Sequence, residues 1–165
     1  MLTSPPPPSL TTVKMLIGSL MAGVVVIGFA FTFIVPPERP EAPIWAWAVV
    51  AAAALGSTAL ALTLGFRVAP LPPDLSVDET SRRTLAAVHT TSILRAAVCE
   101  APGLIAAALA VSIHTLPLLF FGLGLSLLLV ATIAWPGSWA LGRLQRALEA
   151  DGARTGLDQF GSRNR

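Results

Sequence analysis

The sequence predicts an all-α integral membrane protein: a four-helix bundle with a long third helix extending into the cytoplasm and a short C-terminal surface helix. Two compositional facts and one pattern predict it. Hydrophobic residues make up 54% of the 165 residues and charged residues only 12%, about half the roughly 25% that a soluble domain needs to keep its surface wet. The mean hydropathy is +0.72. Four charge-poor runs are each long enough, at about 1.5 Å per helical residue, to cross a hydrocarbon core of about 30 Å. Lipid is therefore the main solvent, and the chain is short enough for one domain.

Residues 1–13 form a proline-rich tail containing Ser4-Pro5-Pro6-Pro7-Pro8-Ser9, read as a disordered cytoplasmic segment, with a proline-recognition ligand as the alternative. The membrane domain occupies 14–136. Its first span, 15–35, is uncharged from Met15 to Val35, guarded by Lys14 and ended by Pro36-Pro37. A cleaved signal peptide would have a shorter apolar region and a small-residue cleavage site. Thr32-Phe33-Ile34-Val35 does not supply one, so a retained anchor is expected. A polar turn, 36–43, leads into the second span, 44–66. Trp45 and Trp47 stand at its start, where indole rings favour the headgroup layer, and Arg67 closes it.

Pro70, Pro72 and Pro73 forbid a helix in the next connection. Ser76-Val77-Asp78-Glu79 reads as a capping box, with the serine bound to the Glu79 N–H and Glu79 reaching back. No breaker follows before Pro102. One helix is expected from Val77 to Ile113, kinked near Pro102, crossing the membrane over 94–113. Its first part, with Arg82, Arg83, His89 and Arg95, belongs outside the hydrocarbon. A tight turn at His114-Thr115 leads to the fourth span, 116–135, broken by Pro136-Gly137. Residues 137–150 form an amphipathic helix with Leu141, Leu144 and Leu148 on one face and Arg143 and Arg146 largely on the other. This fits a helix on the membrane surface, with a plain solvated helix as the alternative. Residues 151–165 read as a disordered tail.

Orientation follows from basic residues near the spans. Of the eleven, Lys14, Arg67, Arg82, Arg83, Arg143, Arg146, Arg154, Arg163 and Arg165 share one side, Arg95 lies close to it, and only Arg39 is opposite. Both termini and the central loop are expected in the cytoplasm. Abundant alanine, proline and arginine suit a GC-rich bacterium, hence a bacterial inner (plasma) membrane. The net charge of +2, scattered without aromatic interleaving, excludes nucleic acid as a partner. The single Cys99 excludes an internal disulfide and a multi-cysteine metal site.

Helices in lipid associate by close backbone approach, which small residues permit. Ala53, Ser57, Ala61 and Gly65 recur every four residues in the second span, and Cys99, Gly103 and Ala107 in the third. These two grooves are expected to pack together or against the first helix; chance in alanine-rich spans is the rival reading. Glu100 is the one acidic residue within an apolar span. Its charged form loses hydration there, at a cost of roughly 2.5–3.5 kcal/mol at a helix centre. Two readings follow: a structural ion pair with Arg67 or Arg143, or an ion-binding carboxylate beside the carbonyl that Pro102 cannot serve. Arg95, five residues back, is rotated about 140° away. His89 and His114 read as a surface and an interface residue, and Cys99 as a small packing residue. No nucleophile motif, phosphate-binding glycine loop or metal-ligand spacing is present, so neither catalysis nor a cofactor is expected.

The segment Thr90-Thr91-Ser92-Ile93-Leu94-Arg95-Ala96-Ala97-Val98-Cys99-Glu100-Ala101-Pro102-Gly103-Leu104-Ile105 resembles the ion-binding helix of rotary ATPase proteolipid (c-type) subunits, in which a carboxylate sits among small residues. The resemblance implies a proteolipid-like oligomer binding protons or cations through Glu100. Span 44–66 departs from that family in lacking its dense glycine repeat, and span 116–135 in lacking a carboxylate. The leading expectation is a small non-enzymatic membrane protein, an accessory, assembly or scaffold subunit. Its partners would be the lipid bilayer and other membrane subunits, or copies of itself.

Overall fold

The structure, a computed structural model, describes residues 9–34 and 41–157. It is helical, with α1 (Leu10–Ile34), α2 (Ile44–Thr63), α3 (Val77–Cys99), α4 (Ala101–Ile113), α5 (Leu116–Leu129) and α6 (Ser138–Leu148). A π-helical turn, Val130–Ala134, prolongs α5. Four stretches are long and apolar enough to cross a membrane: Leu10–Ile34, Ile44–Thr63, Val77–Ile113 and Leu116–Ala134. Most of the proline-rich tail and of the 36–43 turn, and residues 158–165, lie outside the described residues.

Local chemistry sets the helix ends. Ser9 starts α1 ahead of the expected boundary, accepting the Thr12 N–H at 3.2 Å. Half of the expected capping box forms at α3. The Ser76 hydroxyl accepts the Glu79 N–H at 3.3 Å, but the Glu79 side chain binds Arg83 Nε at 2.6 Å instead of returning to Ser76. A charged guanidinium one turn ahead is the stronger partner for a carboxylate. His114 takes a left-handed conformation, φ 54°, and Thr115 N–H bonds the Ala110 carbonyl at 3.1 Å. That reversal brings α5 back along α4, the most extensive helix pairing in the molecule.

Packing falls into four apolar clusters. Ala46 and Val50 of α2 meet Ala106 of α4 and Leu118 of α5. Ala107 and Ala110 of α4 meet Leu119 and Leu123 of α5. Val13 and Ile17 of α1 join Ala61 of α2, Ala96 and Cys99 of α3, and Val130, Ile133 and Ala134 of the π turn. The outer faces of the spans remain apolar and exposed, at Val26, Phe29, Leu55, Leu104 and Leu128 among others. A surface of that kind suits lipid rather than water.

The fourth cluster forms an end layer. Leu141, Leu144 and Leu148 of α6 pack with Val88 of α3, Leu71 of the proline loop, Ala153 and Leu157. The loop is tied in by the Leu71 N–H on the Leu148 carbonyl at 2.9 Å. This layer takes in both C-terminal segments. The leucine face of α6 is turned onto the protein, where the first half of α3 offers it an apolar partner. Residues 151–157, expected as part of a disordered tail, pack in the described structure, with Ala153, Thr155 and Leu157 buried.

Candidate functional site

The site grows from the junction where α2 ends, α3 passes and α6 begins. Gly65 and Phe66 form the turn after α2. A Cβ on Gly65 would meet the Arg95 Cγ and the Ala61 carbonyl oxygen, so only glycine lets Arg95 pass this closely. Arg95 is 2% exposed. Its Nε donates to the Thr91 carbonyl at 3.1 Å and its Nη2 to the Ser92 hydroxyl at 3.1 Å. Its guanidinium carbon lies 4.3 Å from the centroid of the Phe66 ring, within cation–π range. Buried Nη1 has no hydrogen-bond partner among the described residues. Arg95, expected in the part of the third helix that lies outside the hydrocarbon, is thus enclosed by protein.

A second arginine meets the same ring. The Arg143 guanidinium lies 4.8 Å from the Phe66 centroid and 5.9 Å from that of Trp139, and its Nη2 donates to the Leu62 carbonyl at 3.3 Å. Phe66 and Trp139 meet edge to face at 5.5 Å. The aromatic pair and α6 frame a cleft of about 730 Å³, also lined by Arg67 and Arg146. Among the described residues the ion pairs are those of Glu79 with Arg83 at 2.6 Å and Arg82 at 3.9 Å. Arg67, Arg95, Arg143 and Arg146 therefore meet no carboxylate within 4.0 Å among those residues.

Two acids of the end layer, Glu149 and Glu79, are engaged elsewhere. Glu149 Oε1 accepts the Thr155 N–H at 2.8 Å and lies 2.7 Å from the Thr155 hydroxyl. Gln145 Nε2 reaches both carboxylate oxygens at 3.2 Å. Desolvation pushes the Glu149 carboxyl up, but the Thr155 and Gln145 donors and the Arg154 charge outweigh it, leaving the group below its ordinary value. Glu79, half-buried, is also held low, chiefly by its hydrogen bond from Arg83.

Glu100 lies deeper, at the break between α3 and α4, and is half-buried. The expected ion pair with Arg67 or Arg143 is not made among the described residues; Arg143 is occupied by Phe66 and Leu62. What closes the break is Ser126 of α5. Its hydroxyl accepts the Gly103 N–H at 2.7 Å and donates to the Glu100 carbonyl at 3.3 Å. In the first turn of α4, Pro102 has no N–H to satisfy and Gly103 supplies the next one. A serine hydroxyl on that N–H performs the role of an N-cap side chain, here delivered from another helix. No group of three or more His, Cys, Asp or Glu able to hold a metal occurs among the described residues.

The small-residue grooves divide. Ala61 and Cys99 share one cluster with α1, and Gly65 packs on Arg95. Ser57 is buried and Ala53 half-buried. Past the break, Gly103 and Ala107 turn to α5: a Cβ on Gly103 would lie 2.9 Å from Ser126 Oγ and 3.2 Å from Leu123 Cδ2, and Ala107 packs beside Leu119 and Leu123. The two grooves meet where Ala61 lies with Cys99, while Gly103 and Ala107 are taken up by α5. Sequence reasoning missed Gly122, whose Cβ would meet the Ala106 Cβ and the Pro102 carbonyl oxygen. It also missed Ser126 and the pairing of Phe66 with two arginines. A serine in an otherwise apolar span opposite a proline was the signal for Ser126.

Comparison of the chain with protein-family models, curated proteins and solved structures finds no match.

Proposed function

We propose that this chain is a non-enzymatic assembly or scaffold subunit of a bacterial inner-membrane complex. Its four spans form a bundle, its third helix continues into the cytoplasm, and its end layer is the docking platform there. The observation that carries this reading is the end layer itself. The first half of α3, the proline loop, α6 and residues 151–157 pack around their own apolar cluster, beyond what four membrane anchors require. Its charged residues, including Arg82, Arg83, Arg143 and Arg146, are turned outward, on the side that the basic-residue distribution assigns to the cytoplasm.

Affinity capture of the full-length chain from native membranes tests the proposal. The expected result is co-purification of one defined set of membrane proteins, reduced by Arg82→Glu with Arg83→Glu on the exposed face of α3. Capture of the chain with lipid alone, or as a symmetric ring of itself, refutes it.

A second reading is favoured by one observation: Glu100 is half-buried and has no ion-pair partner among the described residues. A proteolipid-like oligomer would use that carboxylate to bind or conduct protons or cations. Carbodiimide labelling of Glu100 that sodium suppresses supports this reading; labelling indifferent to ions removes it.

A further inference from the structure

The cleft between the end of α2 and α6 gathers positive charge without an evident purpose within the chain. Arg67, Arg143 and Arg146 line it, and Arg95 stands behind its Phe66 wall. Like charges held together repel one another, and the nearby Glu149 is turned to Thr155 and Gln145 rather than into the cleft. Arg143 and Arg146 each spend one N–H on a backbone carbonyl, of Leu62 and Gly142, both at 3.3 Å. Their remaining donors are available to a ligand.

We propose that this cleft binds the phosphate of an anionic phospholipid headgroup. Guanidinium groups present paired N–H donors that match phosphate oxygens, and basic pockets at helix ends near the membrane surface suit anionic headgroups. The volume of about 730 Å³ admits more than an inorganic ion, and the walls are of mixed character. Exposed Trp139 supplies the amphipathic indole that favours the headgroup depth, and buried Phe66 backs it as an apolar wall. Below the cleft, helical spacing puts Leu55 and Ala59 on the same face of α2 as the cleft-lining Leu62. Leu55 is 74% exposed, so an acyl chain has an apolar track leading away from the phosphate. A lipid seated there would bridge α2 to α6 and tie the end layer to the bilayer. The inference rests on the chain spanning a membrane, which fractionation of native membranes checks independently.

Native mass spectrometry of the full-length protein in a zwitterionic detergent tests it, with phosphatidylglycerol and phosphatidylcholine in competition and inorganic phosphate as a soluble challenger. Phosphatidylglycerol is expected to be retained selectively. An arginine near an anionic headgroup contributes roughly a fivefold change in affinity. Arg143→Gln with Arg146→Gln should therefore weaken retention roughly thirtyfold, whereas Arg82→Gln with Arg83→Gln leaves it unchanged. Arg67→Gln alone should give the smaller, fivefold loss, which keeps the test decisive if the double variant loses its helical circular dichroism. Displacement of the lipid by inorganic phosphate at equal concentration would transfer the site to a soluble phosphate and overturn the lipid assignment. Equal retention of the two lipids, or phosphatidylglycerol binding unmoved by Arg143→Gln, Arg146→Gln and Arg67→Gln, overturns the site altogether.

Discussion

Removing one hydroxyl, by Ser126→Ala, isolates the device that holds the break in the third span. The substitution leaves the Gly103 N–H, now 2.7 Å from Ser126 Oγ, without an acceptor in an apolar setting. The Glu100 carbonyl loses its donor at 3.3 Å but retains the Leu104 N–H at 3.2 Å, so the orphaned amide dominates. Loss of an N-cap hydroxyl costs about 0.5–2 kcal/mol, and interhelical hydrogen bonds in membranes average about 0.6 with a maximum near 1.7 kcal/mol. The methyl of alanine refills little of the space, since Ser126 is buried between α4 and α5. About 1–1.5 kcal/mol is therefore expected. Equilibrium unfolding in mixed micelles, followed by far-UV circular dichroism, measures it. Ser112→Ala serves as the control: that hydroxyl is exposed and bonds only the Ala108 carbonyl one turn back. A Ser126→Ala variant as stable as Ser112→Ala would refute the capping argument.

The other predictions use the same measurements or simple extensions. Gly122→Ala should cost about 1–3 kcal/mol of unfolding free energy, as overpacked cores do, because its Cβ meets the Pro102 carbonyl oxygen and Ala106; Gly124→Ala, which meets nothing within 4 Å, should be tolerated. Arg95→Met should match or exceed wild-type stability, since an apolar residue of similar volume often replaces a buried charge without loss. Arg95→Lys should fall below both, because an ammonium cannot reproduce the planar fork to Thr91 and Ser92 over Phe66. The folded Glu149 carboxyl sits below its ordinary value of 4.5, so its contribution is present above that value and lost as pH falls through the lower folded value. Proteolysis of the 149–157 segment should rise over that acid range in the wild type, and Glu149→Gln should show the same susceptibility already at neutral pH. Reporter fusions at 40 and 115 should read as exterior and at 75 and 160 as interior; an interior signal at 40 would break the proposed topology.

The spans were legible because their determinant is one-dimensional. A run without charge, ended by proline or arginine, fixes a membrane helix wherever it packs, and the helices match those runs within a few residues at most ends. α1 is the clearest exception, extending back to Leu10 because Ser9 caps it. The site was less legible because it is made of contacts between separate elements. Arg95 reads as a boundary residue when only its distance from charge-free sequence is considered. Its enclosure depends on Gly65 in a turn after another helix and on the Phe66 ring, which no local pattern announces. The same holds for α6: three leucines at helical spacing declare an apolar face but do not say what covers it. Val88 and Leu71, far apart in sequence, provide the cover. Glu100 stands out in the sequence as the one acidic residue of the apolar spans, but charge alone does not name its partner. The structure gives Arg143 to an aromatic ring and a carbonyl instead.

The hydroxyl that closes the break in the third span also carries information about time. Gly103 is 23 residues ahead of Ser126, so the N-terminal cap of α4 is synthesised only after α4 itself, its reversal at His114 and most of α5. A nascent chain that has delivered the third span to the membrane has an unserved amide beside Pro102 until the fourth span enters alongside. The Gly103 amide is thus served only once α5 is present, and the same helix packs with α4 against α2.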